Sequence, residues 1–110
     1  MSALEKLAKS YQNGDFGKKD PTRACYWWEQ LAFLDQAIGQ EQLGICFLRG
    51  KGREKDLKLG YAYLSLAQKN SSSVAEYILE TYAERFSEAA KQEKLQLADQ
   101  IYPKRLRFRC

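Results

Sequence analysis

The chain has no histidine, two prolines, one methionine and three cysteines in 110 residues. Without an imidazole, Ser–His and Cys–His nucleophiles, histidine-ligated zinc and histidine pH switches are excluded. Cys25, Cys46 and Cys110 are odd in number and contain no CxxC pair, so they define neither a disulfide framework nor a zinc knuckle. We read Cys25 and Cys46 as small buried apolar side chains, ahead of a reactive or bridged role, and a reducing cytoplasm as the setting. No apolar run approaches the roughly 20 residues that cross a bilayer. The start, MSALEKLAKS, has no basic segment followed by an apolar one, so no secretory leader is expected.

The composition is that of a soluble globular domain, 45% hydrophobic and 29% charged, and the length suits one domain. The net charge of +4 resides in residues 103–110, where Lys104, Arg105, Arg107 and Arg109 stand without an acid. Residues 1–102 balance, with 14 basic against 14 acidic side chains. The body therefore lacks the excess expected of a domain that grips nucleic acid through phosphates.

Self-comparison reveals a repeat. Shifted by 36 positions, Leu7 falls on Leu43, Gly14 on Gly50, Lys19 on Lys55 and Asp20 on Asp56, while Tyr11 meets Phe47, Ala24 meets Gly60, Trp27 meets Tyr63 and Leu31 meets Ala67. A further step reaches Leu79, with Tyr82 one residue out of register. Each unit reads as helix, glycine-bearing loop, helix. Leu4, Leu7, Ala8 and Tyr11 recur at helical spacing, Gly14 ends that helix, and Asp20-Pro21 caps and starts the next. The second unit repeats this with Gly50 and Asp56. Gly60 inside a helix costs about 1 kcal/mol against alanine, which is tolerable if a neighbouring helix needs close approach there. Asn70-Ser71-Ser72-Ser73 is a turn, and Ser73-x-x-Glu76 fits a capping box for a fifth helix over Val74–Arg85. A sixth helix is expected from near Ser87 to Pro103. The predicted core holds Leu7, Tyr11, Trp27, Leu43, Phe47, Tyr63, Leu79 and Tyr82.

The pattern Leu7-x-x-x-Tyr11-x-x-Gly14-x5-Asp20-x3-Ala24-x2-Trp27, repeated through Leu43, Gly44, Phe47, Gly50, Gly52, Asp56, Gly60, Tyr63 and Ala67, resembles the Sel-one-like repeat of the tetratricopeptide-like α-solenoids. The resemblance is close over residues 4–68 and loose over 74–102. The first unit departs with Asp15-Phe16-Gly17 in place of Gly-x-Gly, and the third lacks the loop and reads as a terminal cap. The resemblance implies an all-α, short right-handed α/α solenoid of about two and a half to three hairpins. Its units would span about 1–35, 36–70 and 71–102, before a basic tail at 103–110. It implies an adaptor or scaffold that binds another protein, often in bacteria; it does not imply catalysis, and no cofactor is expected. Cysteine-rich secreted members carry a disulfide per repeat, and the spacing here does not fit them.

Gly50-Lys51-Gly52 lacks the GxxxxGK[ST] continuation of a phosphate loop and is read as a turn. Lys18, Lys19, Arg49, Lys51, Arg53 and Lys55 should lie along one edge, either simply solvated or anion-binding. Carboxylates such as Glu29, Asp35 and Glu41 show no paired arrangement, so no catalytic or metal-binding residue is assigned. A helical wheel places a face opposite the repeat stripe. It holds Lys6, Lys9 and Asn13 in the first helix, Ile38, Glu41, Ile45 and Leu48 in the third, and Tyr77, Glu80 and Glu84 in the fifth. The last seven are the candidate partner-binding residues, although a middle helix of a solenoid touches neighbours on several sides, so Ile38 and Ile45 are equally readable as core. The resulting expectation is a non-enzymatic protein-interaction module. The alternatives are an immunity-type protein that neutralises a cognate toxin or enzyme, and an anion or nucleic-acid binder using the loop edge and tail.

Overall fold

The computed structural model describes residues 2–88. It contains α1 (Ala3–Asn13), α2 (Pro21–Phe33), α3 (Ala37–Arg49), α4 (Leu57–Lys69) and α5 (Ser73–Thr81), with helical residues resuming at 83–88 and no strand among the described residues. Each helix packs on the next in sequence, giving an all-α solenoid of stacked hairpins. The remainder of the expected sixth helix, Pro103, the basic tail and Cys110 lie outside the described residues.

Local chemistry fixes the helix ends as the repeat suggests. The Asp20 carboxylate accepts from the Arg23 amide at 3.1 Å, with Pro21 at the first helical position. Asp56 does the same for Leu59 at 3.1 Å. Gly14 and Gly50 close α1 and α3 in the left-handed conformation. The 36-residue period extends to single hydrogen bonds. Asp20 N donates to Tyr11 O, and Asp56 N to Phe47 O, so each loop returns to the helix it left. One cap differs from expectation. Ser72, not Ser73, caps α5, accepting from Ala75 N at 3.0 Å. Ser72 also donates to the Glu41 carboxylate at 2.7 Å, and that tertiary contact selects among three adjacent serines.

Two apolar clusters form the interior. The first unites Ala8, Ala24, Cys25, Trp28, Leu31, Ala32, Leu43 and Cys46, and the second unites Leu48, Leu64, Ala67, Ala75 and Phe86. Of the expected core, Leu43 is fully buried, while Leu7, Tyr11, Trp27, Phe47, Tyr63, Leu79 and Tyr82 are half-buried. The deepest aromatic is Trp28, 2% exposed, and Trp27 packs on the first cluster from outside. The shift has a physical cause. Helix α2 lies against both α1 and α3, so its buried stripe widens beyond that of a one-sided amphipathic helix.

The α3–α4 crossing is close at Gly60. A Cβ on Gly60 would stand 3.2 Å from the Gly44 carbonyl oxygen, and one on Gly44 would stand 2.7 Å from Leu64 Cγ. Beside it Phe47 and Tyr63 stack, with centroids 5.9 Å apart.

Trp28→Ala should lower stability by about 3–5 kcal/mol in urea denaturation, because a large buried ring leaves a cavity. Trp27→Ala should cost clearly less, and equal costs would contradict this assignment of depth.

A groove between α1 and α3, floored by α2

The second unit's loop is fastened along α2. Cys25 on α2 and Cys46 on α3 form a disulfide, with a Cα–Cα distance of 6.5 Å. This corrects the reading of both cysteines as unbridged apolar fillers. Parity and spacing hide the pair because its members, 21 residues apart, belong to different repeats. The repeat itself carries a signal, since Cys25 aligns with Tyr61 and Cys46 with Ser10 and Tyr82. Neither cysteine answers to the repeat consensus. Next to the bridge, Gly52 holds φ +84°, and a Cβ there would collide with the Pro21 carbonyl and stand 2.6 Å from Cys25 Sγ. Arg53 then makes a two-pronged ion pair with Glu29 of α2, at 3.1 and 3.2 Å. That parallel geometry is the strong form of a guanidinium–carboxylate contact.

A second polar lattice joins the α2–α3 turn to the α4–α5 turn. Asp35 and Ser71 occupy equivalent repeat positions and both take positive φ, 61° and 72°. Asn70 Nδ2 donates to Asp35 Oδ1 at 3.1 Å and to Gln40 Oε1 at 2.8 Å. Gln40 Nε2 donates to Asp35 Oδ1 at 3.0 Å. Glu41 is buried and accepts from Ser72 and, at 2.8 Å, from Gln42. The carboxylates Glu29, Asp35 and Glu41 thus each hold elements together.

With α1 and α3 both seated on α2, a groove remains between them. Gln12 of α1 lines it, with Lys19 in the loop, Ala24, Cys25 and Trp28 of α2 as floor, and Gln42, Ile45 and Arg49 of α3 as the far wall. Its volume is about 110 Å³. The seven expected contact residues distribute differently from the wheel. Leu48 is buried in the second cluster and Glu41 is buried in the polar lattice, so both build the interior instead of a contact face. Ile38 and Ile45 are half-buried and pack on the first and second clusters respectively. Tyr77, Glu80 and Glu84 are exposed. Helix α3 therefore turns Gln42, Ile45 and Arg49 toward the groove. These positions are the 36-residue images of Lys6, Lys9 and Asn13 in the first helix, a correspondence that the wheel on α3 alone misses.

Of the expected basic edge, Arg53 is committed to Glu29. Lys18, Lys19, Arg49, Lys51 and Lys55 are exposed.

The stacked hairpins and the loop clasped to the shared helix define a helical-repeat solenoid. The sequence matches the Sel1 repeat over residues 2–32 and 37–70, more than half of the chain, and the chain belongs to that family. The fold is similar to the crystal structure of a Sel1 repeat protein from Oxalobacter formigenes, with a TM-score of 0.69 and 24% identity. The match covers 72% of this chain and 32% of that one, so this chain spans about a third of that protein's length. No curated protein sequence matches significantly.

Reducing the disulfide, or Cys46→Ser, should lower stability by about 3 kcal/mol by the loop-entropy estimate for a loop of this length. Urea midpoints with and without reductant check it. Gly52→Ala should be more destabilising than Gly17→Ala, because both positions have positive φ but nothing lies within 4 Å of a Cβ at Gly17. Equal losses would show that only backbone conformation matters at Gly52.

Proposed function

We propose that the chain is a non-enzymatic interaction module that binds another protein along the faces of α1, α3 and α5. Sel1 repeats act in general as protein-interaction modules. The observation that carries the reading is the helical stack itself, whose first helices leave side chains such as Ile45, Tyr77, Glu80 and Glu84 unburied or partly so. Solenoids bind through such extended surfaces because each repeat packs only on its neighbours. Tyr77, 68% exposed, is the aromatic anchor of this surface. Ile38 and Ile45 contribute its half-buried apolar part, and Glu80 and Glu84 steer a basic stretch of the partner. Glu41 and Leu48 act from behind by holding α3 in place.

No helix of the described residues is long and apolar enough to cross a membrane. The expectation of a reducing cytoplasm rested on free cysteines, and the Cys25–Cys46 bridge removes that support. Such bonds persist in oxidising compartments. Alkylation of the protein isolated without reductant should leave the Cys25 and Cys46 peptides unmodified until reduction.

Affinity capture from the source cells, followed by titration of the recovered partner, tests the main reading. Tyr77→Ala should weaken binding by about 1–3 kcal/mol with the helical circular dichroism unchanged. Tyr26→Ala, on the side of α2 away from the groove, should not. Unchanged affinity on Tyr77→Ala would reject this surface.

A further inference from the structure

The groove over α2 has a charge that the interaction reading does not use. Lys19, Arg49 and Lys51 line it. Among the described residues none of the three has an acidic partner, whereas Lys9, Arg23 and Arg53 are paired with Glu5, Asp20 and Glu29. Between these cations the floor is apolar, made of Ala24, Trp28 and the disulfide, with Ile45 on the wall. Gln12, exposed on the opposite wall, offers an amide donor and acceptor to a backbone.

We propose that this groove takes an extended acidic segment of the partner protein, an apolar side chain lying over Ala24 and Ile45 and its carboxylates meeting Lys19, Arg49 and Lys51. The proposal rests on the interaction reading and adds the chemistry of the ligand. Charge selects this occupant over two others, and the small cavity of about 110 Å³ suits an extended segment, whose alternate side chains share a face and reach the flanking cations. The chain's own residues 103–110 carry four cations and no acid and are repelled. Single-stranded nucleic acid requires exposed aromatic platforms for its bases, and the aromatic of this groove, Trp28, is buried.

The test uses the full chain and a rhodamine-labelled decapeptide, Glu-Ser-Glu-Ser-Leu-Ser-Glu-Ser-Glu-Ser, which when extended puts its leucine and four glutamates on one face, followed by fluorescence anisotropy. The peptide should bind, and its affinity should fall severalfold or more between about 50 and 300 mM salt, as screening predicts. The lysine-for-glutamate peptide should not bind. Arg49→Glu and Lys51→Glu should each weaken binding by about tenfold, with circular dichroism unchanged. Lys69→Glu, which alters net charge equally on α4, should leave it within about twofold. In NMR titration of the unmutated chain, the amides of Ala24, Ile45 and Arg49 should shift first.

Equal weakening by Lys69→Glu would assign the effect to net charge and overturn the site. Shifts confined to α5 would also overturn it. Displacement of the peptide by a DNA decamer at equal concentration would make the patch a general anion site, against the proposal. Self-association abolished by Arg49→Glu would give the groove to a second copy, again against it. None of these outcomes alters the Tyr77 result, so the groove can fail while the interaction reading stands.

Discussion

Helix α2 has neighbours on both flanks, α1 and α3, and the rest of the structure is organised around keeping it there. A helix enclosed on two sides cannot carry a simple stripe. It buries Ala24, Cys25, Trp28, Leu31 and Ala32, a broad sector that gives the first cluster most of its members. The loop of the second unit passes so close that only glycine fits at 52, and it is held by the Arg53–Glu29 ion pair, while the helix before it, α3, is bonded to Cys25 through Cys46. A groove forms because α1 and α3 rest on α2 while leaving space between themselves. Removing the constraint on α2 would leave the groove without a floor.

The α3–α4 pair solves the same packing problem differently. There the helices approach through Gly44 and Gly60, each filling the gap left by the other's missing side chain. Leu64, the repeat equivalent of Trp28, is completely buried because the glycine crossing lets α3 settle on it. The cost of a glycine within α4, about 1 kcal/mol, is offset by this contact. The two halves of the array thus share a register but differ in how tightly their helices meet.

Much of the fold was legible because capping and turn chemistry act locally. Asp20, Asp56, Gly14 and Gly50 mark their ends through their own backbones, and a shift of 36 aligns them. The disulfide is hidden from parity and spacing because it joins residues of different units, and the departure of both cysteines from the repeat is the signal it leaves. Trp28 lies outside the core expected from the repeat because a one-face pattern assumes one neighbour. The side of α3 that lines the groove lies about one residue from the face expected for contact, for a related reason. The side of α3 opposite its stripe meets the following unit, where Glu41 bonds Ser72 and Leu48 packs against α4. Transferring Lys6, Lys9 and Asn13 forward by one repeat identifies Gln42, Ile45 and Arg49. In an array, the end helix is therefore the better guide to the open face of a middle one.

The bridge between Cys25 and Cys46 also has a mechanical consequence. It crosses from one hairpin to the next, so it lies in series with the array and not within a single unit. Tension applied to the chain ends can peel α1 from one side and α4 with α5 from the other. The segment between the bridged cysteines, which are 21 residues apart in sequence, stays closed and withholds roughly 70 Å of contour length. A load transmitted through this protein would meet a compliant element at each end and an inextensible link in the middle, at the place where the groove lies.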